Sequence, residues 1–232
     1  RRSSDLDFSQ GPEVVGEDAG KVFVRVGAAV PLPRLLRFCA SHGLAGLEGL
    51  VGIPGTVGGA VAMNAGSFGV ETCRKIENIR IVYNGEERVV VAQALHYSYR
   101  KLCIDDKKND FIVLEATFGL TRTARDGICS CMRHNFFEKK SKQPVTAWSA
   151  GCVFKNPSPE MPAGRLLDQA GFKGKKMGGM AFSTLHANFM INEGKGSATA
   201  ALALMQEAKE AVLERFGIAL EPEVRIIPCL FP

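Results

Sequence analysis

The residue types suited to acid–base chemistry stand in short polar groups along the chain. Cys152 lies in residues 149–157 (Ser-Ala-Gly-Cys-Val-Phe-Lys-Asn-Pro), next to a glycine and ahead of the amide of Asn156. The neighbouring glycine lets a ligand approach the thiol closely, and Lys155 and Asn156 are types that bind phosphates and hydroxyls. A lone cysteine is also a common small buried residue, so both interpretations stay open.

Three further groups pair a charged or titratable side chain with a close neighbour. Glu223 and Arg225 are two residues apart, which would place them on one face of a strand, as binding residues or as a solvated ion pair. Arg100 ends the run Tyr-Ser-Tyr-Arg, as an anion-binding or an edge-strand arginine. His186 precedes Asn188 by two residues in an apolar stretch, where a satisfied core histidine is the alternative.

Glycines are concentrated in residues 43–69, which hold nine of the 25 glycines in only 27 residues. Without a Cβ, backbone N–H groups can approach a phosphate or a flat ring. The spacing fits neither the Walker A loop nor the dinucleotide motif G-x-G-x-x-G. A set of tight turns is the alternative interpretation.

Local signals predict the elements that must position these groups. Residues 1–20 are polar and predict a loop, and Pro33 and Gly43 bracket a short helix. Asn84-Gly85 predicts a type I′ turn between two strands. The predicted strands are residues 22–26, 79–83, 88–91, 111–118 and 221–227, and a helix that leads into a linker covers residues 121–143.

The clearest predicted helix follows a Ser197 cap and ends at Gly217. Its expected apolar face consists of Leu202, Met205, Ala208, Val212 and Phe216.

Composition excludes several classes of protein. The chain has 232 residues, is 46% hydrophobic and has 29 basic against 24 acidic side chains, so its net charge is +5. This excludes wholesale disorder, and the lack of an 18-residue apolar run excludes a membrane span. A small anionic ligand explains the charge as well as nucleic acid does. Seven cysteines without a signal peptide predict a reducing cytoplasm and no metal.

Taken together, the groups resemble one family, the UDP-N-acetylenolpyruvoylglucosamine reductases (UDP-N-acetylmuramate dehydrogenases) of bacterial cell-wall synthesis. The motifs that carry the resemblance occur in the family's order over residues 22–227: residues 53–60 (Ile-Pro-Gly-Thr-Val-Gly-Gly-Ala), 64–66 (Asn-Ala-Gly), 99–100 (Tyr-Arg), 149–157, 163–174, 186–189 (His-Ala-Asn-Phe) and 220–225 (Leu-Glu-Pro-Glu-Val-Arg). The short stretch between Ala116 and Pro144 resembles the branch that lacks an extra tyrosine-bearing loop.

The resemblance implies a cytoplasmic flavoenzyme that uses FAD and NADPH. Its substrate would be UDP-N-acetylglucosamine enolpyruvate, reduced to UDP-N-acetylmuramate for peptidoglycan. The expected protein is a monomer that binds neither nucleic acid nor membrane. Two alternatives are a non-catalytic UDP-sugar-binding fragment that has lost FAD and, with less support, a flavin oxidase of the wider superfamily.

The resemblance also implies residue roles. Cys152 stands where the family's proton donor, commonly serine, stands. An ordinary thiol of pKa near 8.5 is about 97% protonated at pH 7, so it suits that role. Arg100 and Glu223 match the other two catalytic positions. The positions expected to bind FAD are Ile53, Gly55, Thr56, Gly59 and Arg225, and those expected to bind substrate are Asn156, His186 and, for the diphosphate, Lys142 with Lys140 as the alternative.

The fold that the resemblance implies is α+β: part of a PCMH-type FAD-binding domain and a smaller α/β substrate-binding domain. Residues 1–143 and a returning strand, 220–232, would form the first, and residues 144–219 the second. The family's N-terminal subdomain, with its Gly-Gly-Gly-Ser-Asn loop, precedes the strand at residue 22, and no counterpart is found in residues 1–21.

Overall fold

The computed structural model describes residues 8–104 and 111–227, and the chain divides into two compact units, residues 1–137 and 138–232. Both units combine helices with antiparallel strands, so the fold is α+β as predicted. Within the described residues, no helix has both the length and the apolar character that crossing a membrane would require.

The first unit is built on one antiparallel sheet in the order β1-β2-β10-β6-β7, with β3 pairing with β10. The strands and helices of this unit are β1 (Glu13–Asp18), β2 (Lys21–Gly27), α1 (Leu32–Ser41), β3 (Leu44–Ala45), α2 (Val57–Ala62), β4 (Gly66–Ser67), β5 (Val70–Glu71), β6 (Ile76–Tyr83), β7 (Glu86–Val91), β8 (His96–Ser98), β9 (Lys101–Cys103), β10 (Phe111–Arg122) and α3 (Arg125–Lys142), whose last residues belong to the second unit.

Alternation along β2 separates the two faces of this sheet. Val22, Val24 and Val26 are buried in the first core, which α1 and α2 also enter. Burying one face of each strand fixes its register, since a one-residue slip would expose the apolar set. The opposite face carries Phe23 and Arg25 above an open groove of about 820 Å³, whose lining includes none of the predicted site residues.

The second unit is a four-stranded sheet in the order β11-β14-β13-β12, with two helices. Its elements are β11 (Ser149–Cys152), α4 (Ala163–Gln169), β12 (Lys176–Met177), β13 (Met180–Phe182), β14 (Phe189–Asn192) and α5 (Ala198–Phe216). Phe154, Phe182 and Leu204 are fully buried in its core.

Several predicted elements are found with their predicted caps. Asn84 and Gly85 have φ of +52° and +81° in the β6–β7 turn, which a type I′ turn requires. Ser197 accepts a hydrogen bond from the Ala200 N–H (3.1 Å) at the start of α5, and Gly217 ends it with φ +68°.

Three predictions differ from the structure. Residues 1–20 were expected to be a loop, but β1 forms there by pairing with β2. Leu202 was placed on the buried face of α5, yet it is 42% exposed and Leu204 is buried instead, because the helix turns by about 100° per residue. The described residues 220–227 form a single bridge, Pro222 with Phe154, and not a strand.

The described part of this segment, expected as a strand of the first domain, is grouped with the second unit. Leu220 is buried in the second core, and the backbone of residues 221–224 bonds to that of residues 153–155. Burial of the apolar Leu220 side chain in the second core is the physical reason for this placement, because it fixes the start of the segment. The division at 137/138 also lies six residues before the expected boundary at 143/144. Residues 228–232 lie outside the described part.

Candidate functional site

The glycine-rich loop leads into α2 and is tied to the segment after β2. Thr56 caps α2, and its Oγ1 accepts a hydrogen bond from the Gly59 N–H (3.4 Å). The Gly58 N–H donates to the Ala28 carbonyl (2.9 Å). A Cβ on Gly58 would lie 2.8 Å from the Ala28 Cβ, so this approach requires glycine.

Four of the residues expected to bind FAD lie together on this loop. Ile53 is half-buried against the first core, whereas Gly55, Thr56 and Gly59 are exposed. Gly55 has φ +103°, and a Cβ there would project into open space; one on Gly59 would meet the Thr56 Oγ1 at 3.7 Å. The exposed side of the loop is therefore backbone without crowding side chains, which fits a flat ring or a diphosphate.

Arg100 lies at the tip of the β8–β9 hairpin, in a strained left-handed conformation with φ +57°. Its Nη2 donates to the Gly66 carbonyl (3.2 Å), and its guanidinium carbon lies 4.9 Å from the centre of the Tyr99 ring. A Cβ on Gly66 would lie 2.8 Å from the Val70 carbonyl oxygen, so only glycine fits there. A non-glycine residue with positive φ at a candidate site is a known mark of function.

Buried Asn64 connects the two motifs that carry Gly66 and Arg100. It is 1% exposed, its Nδ2 donates to the Ser98 carbonyl (3.0 Å), and its Oδ1 accepts from the Cys73 N–H (3.0 Å). Ser98 is two residues before Arg100, so the amide of Asn64 fixes the hairpin that presents the guanidinium.

A β-bulge sets the direction of Cys152. Ser149 pairs with Ile191, and Cys152 pairs with Phe189. Two residues of β11, 150 and 151, therefore lie opposite one residue of β14, Met190. Residues directly opposite each other on paired strands share one face of the sheet. The extra residue therefore puts Cys152 on the same face as half-buried Phe189 and not on the face of buried Met190. Gly151, with φ +92°, supplies the conformation inside the bulge.

Glu223 is held close to Cys152 along the backbone. Its N–H donates to the carbonyl of Val153 (2.8 Å), the residue after Cys152. Glu223 is half-buried, whereas Arg225 is exposed on the same irregular segment. The structure therefore brings Cys152 and Glu223 to one place in the second unit, while their expected shared strand with Arg225 is absent from the described residues.

Asn156 and His186 meet at the start of α4. The Asn156 Oδ1 accepts from the Ala163 N–H (3.0 Å). The His186 ring packs on the next residue, Gly164, where a Cβ would lie 2.9 Å from its Cε1. The His186 Nδ1 faces the Asn188 N–H (3.2 Å) and accepts from it, which places the proton of the neutral ring on Nε2.

His186 makes the second unit sensitive to acid. Burial lowers the pKa of His186 below its usual value near 6.5. The unfolded chain then binds a proton more readily, so this stability is present above about pH 6.5 and is lost as pH falls through the lowered pKa. We expect the Tm of the parent to fall more steeply below pH 6.5 than that of His186→Asn, whose amide oxygen replaces Nδ1 without titrating.

The control is His42→Asn, which changes an exposed histidine of α1's C-terminus. It shows how much the slope of Tm against pH changes when a histidine outside the second unit is removed. Equal slopes for His186→Asn and the parent would contradict the assignment.

Lys142 ends α3 as an exposed side chain that pairs with Glu138, four residues earlier. Lys140, the alternative for the diphosphate, is also exposed. Neither has a described contact with Asn156 or His186, so their role stays a prediction.

Residue types alone did not reveal the supporting asparagines. Asn64 and Asn188 are each 1% exposed and occur in the motifs Asn-Ala-Gly and His-Ala-Asn, but each amide has a backbone partner 34 residues away. A polar amide in an otherwise apolar stretch was the available signal.

Comparison with known families assigns both parts of the chain. Residues 143–227 match the C-terminal domain of UDP-N-acetylenolpyruvoylglucosamine reductase, and residues 5–92 match an FAD-binding domain.

Individual relatives agree. The chain is 50% identical over 227 residues to the UDP-N-acetylenolpyruvoylglucosamine reductase of Nitratidesulfovibrio vulgaris, covering 97% of this chain and 76% of the relative. It is 46% identical to that of Oleidesulfovibrio alaskensis, covering 90% and 70%. The crystal structure of the reductase from Thermus caldophilus aligns with a TM-score of 0.77 at 36% identity, covering 88% of this chain and 72% of that one.

Proposed function

Because the chain belongs to the UDP-N-acetylenolpyruvoylglucosamine reductase family, we propose that it reduces UDP-N-acetylglucosamine enolpyruvate to UDP-N-acetylmuramate for peptidoglycan synthesis, using FAD and NADPH. The observation that carries the proposal is the position of Cys152 at the β11 bulge, with the Glu223 N–H bonded to the carbonyl of the next residue, Val153, in a domain that matches this family. The 50% identity to a named reductase supports it.

The exposed backbone of Gly55, Thr56 and Gly59 is proposed to hold FAD, which supplies the hydride when bound. After hydride addition to the terminal carbon of the enol ether, the neighbouring carbon, which bears the carboxylate, would need a proton. The chain has to supply that proton and stabilise the negative charge that develops.

We assign the proton to the Sγ of Cys152, which the bulge turns away from the core. The S–H bond breaks, the new C–H bond forms at the carbon beside the carboxylate, and the thiolate is left behind. Glu223, held on Val153, would orient the thiol or return a proton to it. Arg100 would neutralise the carboxylate and the developing enolate.

Asn156 and His186 are proposed to bind the substrate. Both sit at the start of α4, and the Nε2–H of His186 can donate to a sugar or phosphate oxygen. Lys142 is proposed for the diphosphate. Arg225 is proposed for the flavin side. We also propose that the protein acts in the cytoplasm as a monomer, with neither nucleic acid nor membrane as a partner.

Two measurements test the function. We expect the purified chain to retain a flavin absorption band after incubation with FAD and removal of the excess, and the band to shift when the sugar nucleotide is added. NADPH oxidation should then depend on the enolpyruvyl sugar nucleotide.

A protein that retains FAD but shows no such dependence would contradict the proposal. A colourless protein whose single tryptophan, Trp148 beside β11, still responds to the sugar nucleotide would favour the alternative, a UDP-sugar-binding fragment.

A further inference from the structure

The side chain of Asn188 takes the place of a strand backbone next to Cys152. Its Oδ1 accepts from the Phe154 N–H (3.0 Å), and its Nδ2 donates to the Phe154 carbonyl (2.8 Å). Asn188 is 1% exposed and Phe154 is fully buried. One amide thus satisfies both backbone groups of a residue two positions after the candidate proton donor.

The backbone of residue 188 cannot make these bonds itself. Its carbonyl accepts from the Val153 N–H (2.8 Å), which extends the β11–β14 ladder by one step past Cys152. Its N–H turns away to the His186 Nδ1 (3.2 Å). The ladder therefore ends at Val153, and the side-chain amide continues it to Phe154.

The opposite edge of residues 153–155 bonds to the segment that contains Glu223. The Val153 carbonyl accepts from the Glu223 N–H, and the Lys155 N–H donates to the Glu221 carbonyl (2.9 Å). Residues 153–155 therefore lie between Asn188 on one edge and the Glu223 segment on the other. A shift of Phe154 would move Cys152 and Glu223 relative to each other.

We propose that Asn188 is a positioning residue for the reaction, which sets the placement of Cys152 and Glu223 through the Phe154 peptide and does not touch substrate. This rests on the proposed function for its effect on turnover. The expected effect of Asn188 on the reactivity of the Cys152 thiol does not depend on the proposed function. A residue that only stabilised the fold would change Tm without selectively changing the chemistry at Cys152.

The variant Asn188→Asp gives a test within one protein. Its protonated carboxyl keeps an acceptor for the Phe154 N–H and a donor for the Phe154 carbonyl. Its carboxylate loses the donor and sets a charge against that carbonyl, in a buried place. A change of pH therefore compares the protonated and the ionised form of one side chain in the same protein.

The readout is the rate at which iodoacetamide alkylates Cys152, followed by mass spectrometry of its peptide from pH 5 to 9. Each rate is divided by the parent's rate at the same pH. The neighbouring ionisable side chains, His186 and Glu223, are present in both proteins, so much of their contribution cancels in the ratio. Burial raises the pKa of Cys39 and Cys73 to about 12, which keeps these thiols slow.

The matched control is Asn192→Asp on the same strand. The Asn192 Oδ1 accepts from the Gly194 and Gly196 N–H groups (2.9 and 3.0 Å), and a carboxylate still serves as that acceptor. The Asn192 Nδ2 donates to the Gly196 carbonyl (3.4 Å), so this variant also loses an amide donor, but in a turn that has no bond to Phe154. We expect its ratio to stay near one at every pH.

We expect the ratio for Asn188→Asp to be near one at low pH and to change severalfold as the carboxyl ionises. In an active enzyme, kcat should fall by about 10²-fold at high pH with KM little changed, as for a misplaced catalytic group. An Asn188→Asp ratio that stays near one throughout would overturn the proposal.

Asn188→Ala guards against a folding failure. If neither Asn188 variant shows a cooperative thermal unfolding transition at any pH value, Asn188 is a general stabilising residue and the proposal is wrong. A parent with no turnover but with the expected alkylation ratios would contradict the proposed function and leave the positioning role supported.

Discussion

Replacing Cys152 by alanine should lower kcat for reduction of the enol ether by about 10²–10⁴-fold, the usual contribution of a general acid. The β11 bulge places this thiol on the half-buried face of the strand. Glu223 is held nearby, because its N–H donates to the carbonyl of the next residue, Val153. Alanine keeps the bulge, since Gly151 carries the unusual φ. Stopped-flow measurement should show NADPH oxidation intact without substrate and the enol-ether step lost.

The matched variant is Cys152→Ser, which keeps a donor of similar size. It should retain substantial turnover, and iodoacetamide should inactivate the parent but spare the serine variant. Cys131 is exposed on α3 and will also react, so Cys131→Ser should remain as sensitive as the parent. Turnover by Cys152→Ala at the parent rate would mean that the proton comes from another group.

Replacing Arg100 by glycine should separate activity from stability. Loss of the guanidinium removes the charge proposed to stabilise the enolate, and kcat should fall by about 10²–10³-fold, as for loss of an oxyanion donor. The left-handed conformation costs a non-glycine residue about 1 kcal/mol, which glycine recovers. The lost bond to Gly66 and contact with Tyr99 offset part of that gain, so Tm should change little.

Asn84→Gly is the control for the backbone effect. Asn84 also has positive φ, +52°, at a hairpin turn of the same unit, and it lies outside the candidate site. It should change Tm in the same small range and leave kcat unchanged. A large loss of Tm in Arg100→Gly would indicate that the arginine is structural, and an unchanged kcat would contradict its catalytic role.

The parts of the fold that the sequence predicted are those with local causes. The β6–β7 turn follows from Asn84-Gly85, and α5 follows from the Ser197 cap and Gly217. Strand β1 was missed because its polar, glycine-containing sequence becomes a strand only by pairing with β2. The segment 220–227 was misassigned because alternation at Glu223 and Arg225 resembles a strand, while its placement depends on Leu220 entering the second core.

The candidate site shows the same division. The order of the motifs suggested Cys152, Arg100 and Glu223 as candidates, but how each is held depends on contacts distant in sequence. The amides of Asn64 and Asn188 reach backbone groups 34 residues away, and no local pattern specifies such a partner.

Because of the bulge in β11, the number of residues between Ser149 and Cys152 determines the direction of the candidate proton donor. Side chains along a strand alternate between two faces, so the face on which residue 152 emerges depends on how many residues separate it from Ser149. A deletion of one residue between them would leave the thiol in the protein and turn it toward the core. At this strand, the number of residues between Ser149 and Cys152 therefore matters to the placement of the thiol as much as the residue type at 152 does.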